Sequence, residues 1–242
     1  MENLLDSKKE IFAHLDTIYA NIEKAAAVSG RKKEDIQLMA VTKTVEPERV
    51  NMAIEYGVRL LGENRAQELV SKYDSYNKDG VDIHFIGTLQ TNKVRQIIDK
   101  VSLIQSVNSL HLAKEIDRLA GSRLGHPMDI LIEINIGDEE SKSGISYKEV
   151  EPLILEAAAM PNLHVRGLMC IPPICEDPAE LERYFEKMHR LFVDMKEKNI
   201  DNVNMDFLSM GMSGDYEAAI RQGANIVRIG SALFGKRIYK EK

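Results

Sequence analysis

Residues 36–64, IQLMAVTKTVEPERVNMAIEYGVRLLGEN, contain the unit from which the rest of the chain is built. The apolar run IQLMAV (36–41) has the length of a buried strand, PERVNMAIEY (47–56) has helical spacing, and RLLGEN (59–64) is a second apolar run. A strand, a helix and another strand predict a parallel β-α-β unit, because parallel neighbours need a crossover connection.

The same alternation continues along the chain. Further apolar runs predict strands in DIHFIG, LIQSV, DILIEIN, HVRGLM, MDFLSMG and IVRIG, so that eight candidate strands are separated by seven helical segments. Near-continuous apolar strands indicate a parallel sheet covered by helices, and eight such units in 242 residues are typical of a closed barrel. We therefore predict an α/β fold, a single (β/α)8 TIM barrel spanning residues 1–242.

The first 30 residues precede this pattern. Leu5, Phe12, Leu15 and Ile22 recur at helical spacing up to about Val28, followed by a glycine at a common helix end, which predicts an extra N-terminal helix packing on the barrel. The segment has no apolar run long enough for a signal peptide or membrane helix, so we expect a cytoplasmic protein without a membrane partner.

The amino-acid composition argues against two classes of function, nucleic-acid binding and metal binding. The chain has 32 Lys+Arg against 38 Asp+Glu, a net charge of −6, which does not favour a nucleic-acid partner. Its two cysteines, Cys170 and Cys175, lack a second cysteine pair or a nearby histidine that would complete a metal site. We expect free thiols and no metal.

In a barrel of this type the active site lies at the carboxyl ends of the strands. Lys43 follows the first apolar run and would project into the barrel mouth. Burial there would lower the pKa of a lysine and free its amine to attack a carbonyl, as in Schiff-base lysines. The alternative is a solvated lysine at the end of a strand.

Two Gly/Ser segments follow the last two predicted strands, SMGMSGD (209–215) and RIGSALFG (228–235). Many barrels bind phosphate at these positions, and Ser213, Gly230 and Ser231 could supply hydroxyl and backbone donors. The alternative is a pair of ordinary turns.

Arg228 shares one face of the last strand with Ile226 and Gly230. It could donate to the ring nitrogen of a bound heterocycle, or it could pair with Glu133 or Asp206. His84, Lys93 and Lys142 are weaker candidates: we expect a hydrogen-bonded core histidine or a ligand contact for the first, and solvated or capping lysines for the others.

A Schiff-base lysine, a phosphate cradle and an arginine for a ring nitrogen together match the recognition of pyridoxal 5′-phosphate (PLP). The sequence resembles the pyridoxal phosphate homeostasis proteins (YggS/PROSC type), relatives of the alanine racemase N-terminal barrel. The resemblance runs through the following segments: AVTKT (40–44), GENRAQE (62–68), HFIGTLQTNK (84–93), QSVNS (105–109), EINIGDEESKSGI (133–145), RGLMCIP (166–172), LSMGMSGDYEAAI (208–220) and GANIVRIGSALFGKR (223–237).

The resemblance implies a set of cofactor-binding residues: Lys43 as the Schiff-base (aldimine) lysine, Ser213, Gly230 and Ser231 on the phosphate, Arg228 at the pyridine nitrogen, and Asn64 and Met210 lining the cofactor. It implies a PLP-binding protein of intracellular vitamin B6 homeostasis with PLP-dependent apo-enzymes as recipients. No catalytic residue is assigned.

Alanine racemase carries a second domain after its barrel, whereas only 12 residues follow Gly230 here. Racemisation needs a proton group on each ligand face, and that domain supplies one. We therefore expect a monomer with little or no turnover. The alternatives are a slow fold-type III amino-acid racemase, in which a tyrosine or Lys142 replaces the missing acid, and an aldolase using Lys43 on a sugar phosphate.

Overall fold

A closed barrel of parallel strands forms the centre of the molecule. The computed structural model describes residues 4–139 and 142–235, and within them eight strands pair in chain order, with the last returning to the first. The strands are β1 (Gln37–Val41), β2 (Leu60–Glu63), β3 (Asp82–Phe85), β4 (Leu103–Val107), β5 (Met128–Ile134), β6 (Leu163–Cys170), β7 (Val203–Met212) and β8 (Ile226–Ile229). Met39 of β1 pairs with Arg228 of β8, which closes the barrel.

Helices connect the strands on the outside. In the described ranges they are α1 (Leu4–Val28), α2 (Pro47–Tyr56), α3 (Ala66–Lys72), α4 (Thr91–Ile97), α5 (Leu110–Arg123), α6 (Val150–Ala158), α7 (Pro178–Glu197), α8 (Tyr216–Arg221) and α9 (Ser231–Phe234). Local signals fix several starts: Pro47 opens α2, Ser109 accepts a hydrogen bond from the Leu112 N–H at 3.2 Å, and Asp177 accepts one from the Ala179 N–H at 2.9 Å.

The strands bury both of their faces. Outward residues such as Ala40 and Val227 join the large core between strands and helices, whereas inward residues form smaller clusters inside the barrel. The inner clusters contain Met39, Val41, Leu60, Ile86 and Ile226, and Leu103, Leu131 and Met169. Burial on two faces explains why the strands read as continuous apolar runs in the sequence.

Helix α1 packs on the barrel by one apolar face. Ile11, Leu15 and Ile22 on that face are buried, and His14 Nδ1 lies 2.8 Å from the carbonyl oxygen of Leu233 in α9. The helix ends where expected, since Gly30 has a φ of +70°.

The predicted α/β fold, a TIM barrel with an extra N-terminal helix, is thus confirmed. In the part of the chain that the structure covers, no helix combines the length and the apolar character needed to cross a membrane.

Candidate functional site

Lys43 stands at the carboxyl end of β1, half-buried at the barrel mouth. Val41, the last residue of β1, points into the barrel interior, and Lys43 follows two residues later in the turn that leaves the strand. A cleft of about 260 Å³ opens beside it and is lined by Lys43, Arg49, Gly230 and Ser231, among others. The structure therefore brings the predicted Schiff-base lysine and part of the predicted phosphate turn to one cavity.

The turns after β7 and β8 are joined by backbone donors. The N–H groups of Gly230 and Ala232 donate to Ser213 Oγ at 3.1 and 3.2 Å. Because this hydroxyl oxygen accepts twice, its own hydrogen remains available as a donor. Ser213, Gly230 and Ser231, distant in sequence, thus form one group of hydrogen-bonding atoms at the barrel mouth.

Arg228 is buried inside the barrel, only 4% exposed. Its guanidinium donates to Ser209 Oγ at 2.7 Å and to the carbonyl oxygen of Cys170 at 2.7 Å. Burial lowers the pKa of Arg228 from its ordinary value. Within residues 4–139 and 142–235 no carboxylate forms an ion pair with it, and Asp206, a partner considered from the sequence, pairs with Arg166 instead.

A line of hydrogen bonds continues from Arg228 across the interior. The Ser209 hydroxyl donates to Gln105 Oε1 at 2.7 Å, and Gln105 Nε2 donates to His84 Nδ1 at 3.0 Å. Burial lowers the pKa of His84 to about 3, so this ring is neutral and accepts at Nδ1. His84 is a hydrogen-bonded core histidine, one of the two roles expected for it.

Asn64 follows β2 beside the Lys43 turn, since Val41 and Gly62 are paired neighbours in the two strands. Its Oδ1 atom is buried and accepts no hydrogen bond in the structure. The backbone of Asn64 lies so close to Gly87 that a Cβ on that glycine would come within 2.0 Å of the Asn64 carbonyl oxygen. Asn64 therefore brings an acceptor without a partner to the mouth.

Met210 is placed differently. Its side chain is fully buried in the core between strands and helices, in the same cluster as Leu208 and Ile229. The structure does not bring this side chain to the cleft beside Lys43.

Glu133 on β5 is a buried carboxyl, 3% exposed. It accepts a hydrogen bond from the Ser143 hydroxyl at 2.5 Å, and burial raises its pKa despite that bond and the nearby charge of Arg228. From the sequence, Glu133 is predicted only as an ion-pair partner of Arg228, and Gln105 has no predicted role. Both are polar residues in otherwise apolar strands, which is the signal that could have found them.

The weaker candidates lie at the rim. Lys142 donates to the carbonyl oxygen of Pro172 at 2.8 Å and pairs with Glu139 at 3.0 Å, while Lys93 is half-buried in the first turn of α4. Both cysteines are free thiols: Cys170 is buried and Cys175 is partly exposed.

Parts of two quoted motifs, residues 140–141 and 236–237, lie outside the described residues. They belong to EINIGDEESKSGI and GANIVRIGSALFGKR, respectively.

Comparisons with known proteins agree with this geometry. Residues 13–238 match the family model of the alanine racemase N-terminal domain. The pyridoxal phosphate homeostasis protein of Aquifex aeolicus (strain VF5) is 40% identical over 225 residues, 93% of this chain and 97% of that protein. The protein of the same name from Escherichia coli (strain K12) is 38% identical over 236 residues, 96% of this chain and 99% of the relative.

Solved structures give the same result. PipY of Synechococcus elongatus PCC7942, solved with PLP bound, superposes with a TM-score of 0.77 at 28% identity, covering 89% of this chain and all of that one (100%). Alanine racemase from Corynebacterium glutamicum shares the fold, with a TM-score of 0.68 at 18% identity over 92% of this chain and 62% of the racemase. By sequence and by fold, this chain belongs to the family of the pyridoxal phosphate homeostasis proteins, whose barrel is of the alanine racemase N-terminal type.

Proposed function

We propose that this protein binds PLP covalently through Lys43 and acts in intracellular PLP homeostasis, with little or no catalytic turnover. The observation that carries the proposal is the cleft that Lys43 shares with Gly230 and Ser231. Relatives 38–40% identical over almost the whole chain are named pyridoxal phosphate homeostasis proteins, and PipY has been solved with PLP bound.

The donors at the barrel mouth fit a phosphate group. Ser213 has a hydroxyl hydrogen to donate, and the backbone N–H groups of Gly230 and Ala232 converge on its oxygen. Neutral donors of this kind hold a dianion in many phosphate sites, and glycine lets the anion approach the backbone. We assign Ser213, Gly230 and Ser231 to the phosphate.

The remaining residues fit the ring. The orphan Asn64 Oδ1 is an acceptor for a polar ring substituent, and Arg228 is a buried cation that we assign to the ring nitrogen. We assign Met210 a packing role behind the strand ends, because its side chain lies in the core. The donor set therefore suits a phosphorylated heteroaromatic aldehyde.

Arg228 also affects how readily the bound cofactor would take part in catalysis. When bound, PLP supplies an aldehyde for the lysine amine and a ring that can accept electrons once its nitrogen is protonated. The fixed positive charge of Arg228 disfavours a second positive charge beside it, so the residues of this site hold the ring in its weaker electron-accepting form. Arg228 thereby favours holding the cofactor over carbanion chemistry.

The test is a visible absorption spectrum of the purified protein with added PLP, followed by borohydride reduction and peptide mass mapping. We expect a yellow adduct that maps to Lys43, is lost in Lys43→Ala and persists in the matched control Lys93→Ala. A wild-type protein that stays colourless, or an adduct that maps to another lysine, would contradict the proposal. Solvent deuterium exchange at the α-carbon of alanine at ordinary enzymatic rates would favour a racemase instead.

We further propose that residues 1–242 act as one PLP-binding domain, as a cytoplasmic monomer whose recipients are PLP-dependent apo-enzymes. PLP binding is supported by the relatives' names and by the PLP-bound PipY structure. Sedimentation velocity should give a single species of about 27.3 kDa. A stable dimer would overturn the monomer.

A further inference from the structure

The turn that carries Lys43 is held from outside the barrel by helix α3. Lys72 Nζ donates to the carbonyl oxygen of Val45 at 2.7 Å and to that of Thr42 at 3.4 Å. The backbone N–H of Thr44 donates to Glu68 Oε1. Glu68 and Lys72 thus form hydrogen bonds with the backbone on both sides of Lys43. We call this pair of residues the α3 clamp.

The two clamp residues also bind each other. Lys72 Nζ lies 2.5 Å from Glu68 Oε1, one helical turn away, and each side chain is only 14% exposed. A mostly buried ion pair is screened little by solvent, so its geometry is stiffer than that of a surface pair. The clamp is therefore a defined structure rather than two mobile side chains.

The turn needs such support because its backbone is strained. Thr44, directly after Lys43, has a φ of +62°. A β-branched residue rarely adopts this left-handed conformation, which persists only where the surroundings hold it. The hydrogen bond from the Thr44 N–H to Glu68 is a contact that holds it here.

A second anchor fixes the residue before Lys43. The Thr42 hydroxyl donates to Glu63 Oε1 at 2.7 Å, and the Tyr76 hydroxyl donates to the same atom at 2.6 Å. Glu63 is fully buried, at 0% exposure. These contacts lie on the outer side of the strand, where Tyr76 belongs to the core under the helices, so the ligand cleft remains clear.

We propose that Glu68 and Lys72 are positioning residues that fix the Lys43 amine for bond formation with the PLP aldehyde. The proposal rests on the proposed function. In that step the neutral amine nitrogen attacks the aldehyde carbon, a C=N bond forms, and the aldehyde oxygen leaves as water with the two amine hydrogens. A displacement of about 1 Å in a reacting group costs about 100-fold in rate. The clamp touches neither the phosphate donors nor Arg228.

The test separates covalent from non-covalent binding. We would measure the rate of adduct formation with PLP, and the affinity for pyridoxine 5′-phosphate, which has the ring and phosphate but no aldehyde. In Glu68→Ala and Lys72→Met we expect the adduct rate to fall by about 100-fold while pyridoxine 5′-phosphate affinity stays within about twofold. Glu68→Gln keeps an acceptor for the Thr44 N–H and should recover most of the rate.

The matched control is Glu151→Ala, which removes an ion pair with Lys198 of 2.8 Å away from the mouth and should change neither quantity. Adduct rates within about twofold of wild type in Lys72→Met, or equal losses for both ligands, would overturn the positioning role. If Glu68→Ala does not fold, Lys72→Met and Glu68→Gln carry the test. A wild-type protein that forms no adduct at Lys43 would instead refute the proposed function.

Discussion

Two arginines of the barrel strands, Arg166 on β6 and Arg228 on β8, differ in what surrounds their charge. Arg166 contacts two carboxylates, Asp129 at 2.6 Å and Asp206 at 2.8 Å, and lies 5.2 Å from the centre of the Phe207 ring. Arg228 is more deeply buried, yet its partners are a hydroxyl and a carbonyl.

The difference is consistent with a structural role for Arg166 and with the ligand-binding role proposed for Arg228. The charge of Arg166 is neutralised locally at the amino-terminal end of the barrel, where barrels of this type use polar residues for stability. The charge of Arg228 faces only neutral hydrogen-bond partners in the described ranges, although burying such a cation is costly. A buried cation without an ion-pair partner at the carboxyl-terminal end fits the proposed role of Arg228 at the ring nitrogen of the ligand.

The largest effect is expected for Arg228→Met. A charge-assisted hydrogen bond contributes about 1.5–3 kcal/mol, so PLP affinity should fall by about 10- to 150-fold. The free energy of unfolding should change by less than about 1 kcal/mol, because loss of two hydrogen bonds is offset by removal of a desolvated cation. Fluorescence titration and urea unfolding measure the two quantities. Strong destabilisation with unchanged PLP affinity would reverse the assignment of roles.

Arg166→Met should show the opposite pattern. The variant leaves Asp129 and Asp206 without their cation, and because all three side chains are partly exposed we expect a loss of about 1–2 kcal/mol in the free energy of unfolding. PLP affinity should be unchanged. A weaker affinity for PLP in this variant would contradict the assignment of a structural role to Arg166 and a ligand-binding role to Arg228.

The smallest effect is expected for Glu133, the buried carboxyl near Arg228, as the pH changes. Burial raises the pKa of Glu133 above its ordinary value of 4.5, so its contribution to stability is present below pH 4.5 and lost as pH rises through the folded-state pKa. Glu133→Gln should therefore gain stability relative to wild type as pH rises above 4.5. If Glu133 were instead a carboxylate paired with Arg228, its pKa would be lowered, and the variant would be the less stable protein above pH 4.5, with a difference that disappears as pH falls through the folded-state pKa. Urea unfolding across pH distinguishes the two.

The barrel could be predicted because its signals are local and repeated. Each strand is an apolar run and each connection a helix, so register errors within one unit do not alter the architecture. The positions of polar residues directly after the strands were enough to predict that Lys43, Ser213 and Gly230 lie near one another, because the carboxyl ends of parallel barrel strands all meet at one mouth.

The remaining features of the site could not be predicted from the sequence, because they depend on side-chain direction and on contacts between distant segments. Met210 faces the core rather than the cleft because the adjacent Ser209 points into the barrel toward Gln105 and Arg228, and alternation along β7 turns the next side chain outward. The hydrogen bonds of Glu68 and Lys72 to the Lys43 turn connect residues that are about 25 positions apart in the sequence and lie on different elements. Such pairs are set by packing, which a single sequence does not encode in any short pattern.

Ser213 Oγ accepts two backbone hydrogen bonds, and in the proposed phosphate site these bonds affect how fast a bound anion leaves. The N–H groups of Gly230 and Ala232 have an acceptor within the protein itself. An anion that departs from this turn therefore leaves no orphan donor behind, and the desolvation penalty that would otherwise oppose dissociation is avoided. The same hydroxyl competes with an incoming phosphate for these donors, which moderates affinity. In the proposed phosphate site, this arrangement of Ser213 favours rapid, reversible release of the bound anion.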